Sequence, residues 1–191
     1  MVDAMAKSLF HRDENLVLRG RSDASALGAL YEKYYPGIYR FCVRRLYCRD
    51  AAEDVTSSVF LAVARKMPGF CGETEVEFRN WLYAIAANHA NSYIRKNLRR
   101  RRLLEKEASN LVKNSEDNRE SPDWPKVYAA IGKLAPDTQT IITLRYFERL
   151  SFEQIAEIVD KKPSSVRVIA HRGIKALRKY LKTVSRGDYD G

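Results

Sequence analysis

The sequence predicts an all-α fold, with two small helical domains joined by a polar linker. Apolar residues recur three and four apart from Ser22 to about Arg102 and again from Trp124, without β-branched alternation. Between these stretches, residues 105–123 run through Lys, Asn, Ser, Glu and Asp, with Pro122 near the end and hardly a large apolar residue after Val112. The last third carries the caps, the turn and the charge of a helix-turn-helix. The expected organisation is an N-terminal extension with a short helix (1–21), a first domain (22–104), the linker (105–123), a second domain (124–183) and a tail (184–191). A chain of 191 residues accommodates two such helical units.

In the first domain, Leu27, Leu30, Tyr31 and Tyr34 form one apolar stripe. Pro36 suits the first turn of a new or kinked helix, which continues through Tyr39, Cys42, Val43 and Leu46. Asp50 is the expected N-cap of the next helix, with Glu53 completing a capping box and Val55, Val59, Ala62 and Val63 supplying the buried face. Met67-Pro68-Gly69 ends it. After a loop from Phe70 to Glu75, a further helix carries Phe78, Leu82, Ile85, Ala86, His89 and Tyr93 on one side. In the second domain, Trp124, Val127, Ile131 and Leu134 are spaced for one helix, and Pro136 starts another with Ile141, Leu144 and Tyr146.

The 34 Lys and Arg residues outnumber the 24 Asp and Glu, a net charge of +10. That excess favours a polyanionic partner, nucleic acid first and an anionic membrane surface second. No apolar run approaches the roughly 20 residues that span a bilayer, so no membrane insertion is expected. The opening MVDAMAKSLFHRDENLV lacks a secretory apolar stretch, which points to the cytoplasm. Cys42, Cys48 and Cys71 form neither a CxxC pair nor a zinc pattern; reduced, mostly buried thiols and no metal are expected, with redox sensing as the alternative. No Gly-rich phosphate loop or Ser/His/Asp arrangement occurs, and His11, His89 and His171 have no partner visible in the sequence. Neither an enzyme nor a cofactor is expected.

The strongest signal is RLSFEQIAEIVDKKPSSVRVIAHRGIKALRKYL. Ser151 can cap a helix with Gln154 reaching back, and Leu150 can staple against Ile155. Asp160-Lys161-Lys162 then makes a short turn, in which Asp160 tolerates the left-handed conformation, and Pro163 opens the second helix. Small Ala156 permits close crossing, and Val166 points back into the junction. The outward side presents Ser164, Ser165, Arg167, Val168, His171, Arg172 and Lys175, with Lys162 in the turn before it. This set suits base edges, phosphates and a thymine methyl in the major groove. An ordinary helical hairpin with a solvated basic face is the alternative.

With both halves laid out, the chain resembles the extracytoplasmic-function (ECF) sigma factors of the sigma-70 family over about residues 13 to 182. DENLVLRGRSDASALGALYEKYYPGIYRFCVRRL and AEDVTSSVFLAVARKMPGF look like the opening helices of sigma region 2, and EFRNWLYAIAANHANSYIRK like its promoter-melting helix. LAPDTQTIITLRYFERLSFEQIAEIVDKKPSSVRVIAHRGIKAL looks like region 4. The resemblance implies a subunit of core RNA polymerase that reads the −35 element of promoter DNA through region 4 and traps the melted −10 strand with region 2. Many relatives also have an anti-sigma partner. It further implies that Asp54 and Ser57 lie where relatives meet the polymerase clamp or the upstream edge of the −10 element. The loop from Phe70 to Glu75 would correspond to a flipped-base pocket, with Asn80, Trp81, Asn88 and Asn91 on the adjoining helix.

From their chemistry, the asparagines can read base edges, while Trp81 and Tyr83 offer stacking planes or, alternatively, helix packing. Arg95, Lys96 and the run from Arg99 to Arg102 suit duplex phosphates or a merely solvated surface. This chain has Ser57 and Ser58 where relatives often carry Gln and an acid, and Ile169-Ala170 where Arg-Leu is frequent. A helix-turn-helix regulator that never engages polymerase would account for the last third but leave residues 22–102 unexplained.

Overall fold

The computed structural model describes residues 16–108 and 126–187; the expectations for 1–15, for 109–125 with Trp124, and for 188–191 fall outside these. Every regular element of the described residues is helical. After a helical segment at 16–19, Asp23 caps the first long helix, α1 (Ala24–Leu46), by accepting from the Ser25 N–H at 2.8 Å. Arg19, bonded to the same carboxylate at 2.6 Å, holds Asp23 below the usual carboxylate range together with that backbone bond. Pro36 does not open a new helix: α1 runs through it. The ring removes one backbone donor, but Leu30 before it and Ile38, Phe41 and Cys42 after it lie in one core, so tertiary packing carries the helix across.

The chain leaves α1 through Tyr47 in the left-handed conformation (φ 55°) and enters α2 (Arg49–Lys66). Cys48 stands at the N-cap without a side-chain bond, so the expected Asp50–Glu53 box is not formed. Asp50 lies two positions past the cap; its charge faces the positive helix end without capping it. Ala51, Ala52, Val55, Thr56, Val59, Phe60 and Val63 are buried. A 3-10 turn, Met67–Gly69, follows, and then α3 (Glu75–Ala108), which runs past the expected boundary at 104. Its start carries a box absent from the sequence expectation. Glu77 accepts from the Glu73 and Thr74 N–H groups at 3.0 and 2.9 Å, while its own N–H donates to Thr74 Oγ1 at 3.2 Å.

The second half contains α4 (Lys126–Gly132), α5 (Pro136–Tyr146), α6 (Phe152–Val159) and α7 (Pro163–Gly187). Helix α5 buries six consecutive residues, Gln139 to Leu144, rather than one stripe, because other helices pack around it. Its buried hydroxyls bond back to its own turns, Thr140 to the Pro136 carbonyl at 3.1 Å and Thr143 to that of Gln139 at 2.9 Å. Val127 and Tyr146, both expected on apolar stripes, are 42% and 53% exposed, near the helix ends. Close packing of α7 on α5 needs Gly173, where a Cβ would come within 2.7 Å of Thr138 Cγ2.

The halves are packed together. One apolar cluster passes from Phe41, Leu82 and Ala86 into Ile141, Leu144, Leu150 and Ile155. Helix α6 lies along α3, and α5 touches α1. At this seam the Arg45 side chain, 1% exposed, donates to Asn91 Oδ1 at 2.6 Å, to the Pro136 carbonyl at 3.1 Å and to Gln139 Oε1. Gln139 in turn donates to the carbonyls of Gly132 and Leu134 at 3.0 and 2.7 Å. Burial lowers the Arg45 pKa to about 10, which leaves it charged at neutral pH.

Candidate nucleic-acid interface

The helix-turn-helix is built as the residues dictate. Ser151 Oγ accepts from the Gln154 N–H at 3.1 Å, and Gln154 Oε1 accepts from the Ser151 N–H at 2.9 Å. Leu150 and Ile155 are both buried. Helix α6 stops at Asp160, left-handed at φ 50°, and Pro163 opens α7. Val166, Ala156 and Ala170 close the junction at 0%, 4% and 2% exposure. The eight residues expected to face DNA here, Lys162, Ser164, Ser165, Arg167, Val168, His171, Arg172 and Lys175, are all exposed. Arg167 bonds Glu153 at 2.7 Å across the turn.

The −10 candidates of the first half divide into two sets. Trp81, Asn88 and Arg95, each seven residues from the last, share one side of α3, and Asn88, Arg95 and Lys96 are exposed. Phe70 stacks on Trp81 with ring centres 4.6 Å apart and meets Phe78 edge-on at 5.9 Å. Together with Arg65, Lys66, Gly69, Cys71 and Gly72, these two aromatics line an open depression of about 650 Å³. Its backbone is constrained: Arg21 donates to the Gly72 carbonyl at 2.8 Å, and a Cβ on Gly72 would lie 2.4 Å from Phe70 Cζ.

Asn80, Tyr83 and Asn91 form the second set and are 6%, 6% and 9% exposed, covered by the second half. Asn80 Nδ2 donates to Glu157 at 2.7 Å, and the Tyr83 hydroxyl donates to Glu148 at 2.8 Å. Asn91 accepts from Arg45. Arg44 pairs with Glu148 at 2.8 Å. Burial, reinforced by the Glu148 carboxylate, pushes the Tyr83 hydroxyl far above its usual range.

Asp54 and Ser57 are exposed on α2. On the same side stands Leu61, 53% exposed, which sequence reasoning passed over although its i+4 spacing from Ser57 marks it. Arg65 and Lys66, at the mouth of the depression, were also missed; they sit one turn further along α2. Among the cysteines only Cys42 is buried, with its thiol pushed up to about 11 by burial. Cys48 and Cys71 are exposed, contrary to expectation, because one precedes α2 and the other lies in the loop before α3, outside the packed faces. Among the described residues, no group of three or more His, Cys, Asp or Glu is placed to hold a metal, and no helix is long and apolar enough to cross a membrane.

Comparison with known proteins agrees with this division. Residues 30–102 match the family model of Sigma-70 region 2, and residues 125–177 match that of Sigma-70, region 4. The RNA polymerase sigma-H factor of Pseudomonas aeruginosa is 30% identical over 188 residues, covering 92% of this chain and 96% of the relative. The ECF RNA polymerase sigma-E factor of Haemophilus influenzae is 32% identical over 168 residues, covering 81% and 87%. The chain spans 63% of the length of the ECF RNA polymerase sigma factor BldN of Streptomyces coelicolor, to which it is 27% identical. In fold it is similar to CnrH solved with the cytosolic domain of CnrY, with a TM-score of 0.67 at 19% identity, covering 90% of this chain and 97% of that one. It is also similar to the sigma factor RpoE solved with the anti-sigma factor NepR from Bartonella quintana, with a TM-score of 0.62 at 20% identity, covering 81% and 96%. By these matches the chain belongs to the ECF sigma factors of the sigma-70 family.

Proposed function

We propose that this chain is a dissociable subunit of core RNA polymerase that reads the −35 duplex with α7 and holds the unpaired −10 strand with the first half. One observation carries the reading: an exposed, basic helix-turn-helix and an open, basic, aromatic-floored depression occur in the same chain. Duplex reading needs the first. Capture of an unpaired base needs the second, since extraction costs a few kcal/mol and stacking on an aromatic returns about 1 to 3 per base. Phe70 and Trp81 supply the plane, Arg65 and Lys66 the phosphate charge, and Asn88, Arg95 and Lys96 continue the track along α3. Asp54, Ser57 and exposed Leu61 form the face offered to polymerase.

In the packed arrangement, Asn80, Tyr83 and Asn91 are occupied by Glu157, Glu148 and Arg45. Their part in strand reading therefore begins after the two halves separate on polymerase, still joined by the chain between α3 and α4. An anti-sigma factor would act by keeping the same faces from their targets. The test is comigration of the purified chain with core polymerase on a sizing column, followed by run-off transcription from a promoter library. Initiation at discrete sites that require the chain supports the reading. A chain that binds duplex yet neither comigrates nor alters initiation is a regulator of another kind.

A further inference from the structure

We infer that Glu153 is a positioning residue for promoter specificity: it holds the Arg167 guanidinium in the orientation that reads a base edge. The inference rests on the −35 reading above. Of the eight exposed residues on and before α7, Arg167 alone has a side-chain partner among the described residues. Glu153 Oε1 lies 2.7 Å from Arg167 Nη2, and both side chains are 58% exposed. The Phe152 ring centre lies 5.7 Å from the same guanidinium. These two residues open α6, whose start is locked by the reciprocal Ser151–Gln154 bonds. Phe152 is further fixed by Arg145, whose guanidinium lies 4.5 Å from the ring and which itself bonds the Leu150 carbonyl at 2.8 Å. A rigid element therefore grips a long side chain on the neighbouring helix.

So exposed an ion pair adds little to stability, which leaves orientation as its use. Arginine has five N–H donors in a fixed plane, and the bond to Glu153 uses one side of the fork. The remaining donors suffice for a bidentate contact with a guanine edge or with a phosphate. Glu153 remains anionic at assay pH, because its own backbone N–H and Ser151, then Arg167, hold its carboxyl below the usual range. Ser164, Ser165, His171, Arg172 and Lys175 have no such holder among the described residues, and suit contacts with phosphates, which tolerate several geometries.

The experiment compares holoenzymes assembled from core polymerase and the full chain, as wild type, R167A, E153A, the double variant R167A/E153A, and E153Q, on promoters randomised across the −35 element. R167A should relax the preference at one base step by about 5- to 100-fold. E153A should relax the same step by a smaller factor, add little in the double variant, and leave the other steps unchanged. E153Q keeps an acceptor for Nη2 and should restore most of the preference. If R167A relaxes a step and E153A leaves it untouched, or tightens binding at all sequences alike, Glu153 merely repels phosphate and the inference fails. If R167A itself alters no step, the −35 assignment of Arg167 fails and the inference with it.

Discussion

Replacing Glu148 by Ala should open the seam between the two halves. Its carboxylate, 10% exposed, accepts from Arg44 Nη1 and from the Tyr83 hydroxyl, each at 2.8 Å and each from the other half of the chain. A hydrogen bond to a charged group contributes about 1.5 to 3 kcal/mol, and removing one partner of a buried charged pair costs about 3 to 5. Two such bonds share one acceptor and do not add fully, so a loss of about 2 to 5 kcal/mol is expected. At 1.4 kcal/mol per tenfold, the packed-to-separated ratio falls by roughly 30-fold or more. Two dyes report it by energy transfer, one on exposed Cys71 with Cys48 replaced by Ser, the other on a cysteine replacing exposed Tyr146. Transfer should drop in E148A, and the free chain should then bind a −10 single strand more tightly, because Tyr83 and neighbouring Asn80 become accessible. Unchanged transfer with unchanged strand affinity would refute the role given to Glu148.

Further expectations follow from single groups. Trp81→Ala should leave comigration with polymerase intact while lowering permanganate reactivity of −10 thymines, since about 1 to 3 kcal/mol of stacking is lost; joint loss of helicity and polymerase binding would instead make Trp81 a packing residue. Arg45→Met removes the charged donor of a buried network and strands Asn91 and Gln139, so chemical denaturation should show a loss of about 2 to 4 kcal/mol. For Cys42, whose folded pKa of about 11 lies above the usual 9.0, the contribution to stability is full below pH 9 and is lost as pH rises toward 11. Urea midpoints measured between about pH 8, below ordinary thiol ionisation, and about pH 10.5, above it, should fall less steeply in Cys42→Ala than in wild type.

The helix-turn-helix was legible because its determinants are local. Ser151 and Gln154, Asp160, Pro163 and Val166 act on neighbours within one or two turns. The same local rules misplaced the start of α2, where Asp50 looked like a cap and Cys48 occupies the position. They also allowed a helix start at Pro36, which long-range packing overrode. The Thr74–Glu77 box was readable by the rule that found Ser151 and was missed behind the expected loop. The seam could not be read at all. Arg44 and Glu148 lie 104 positions apart, Arg45 and Asn91 lie 46 apart, and each looks in sequence like an ordinary polar residue on a helix. No periodicity links such pairs, so the burial of Asn80, Tyr83 and Asn91 emerges only from the tertiary fold.

The most direct test of promoter reading by both halves randomises the −35 and −10 windows independently and sequences the templates that holoenzyme opens. With the wild-type chain, both windows should show base preferences at one preferred spacing. R167A should relax one step of the −35 window and leave the −10 window unchanged, and W81A should weaken opening through the −10 window alone. Preferences that appear in only one window, or that either substitution erases from both, would contradict the assignment of duplex reading to α7 and strand capture to the depression beside α3.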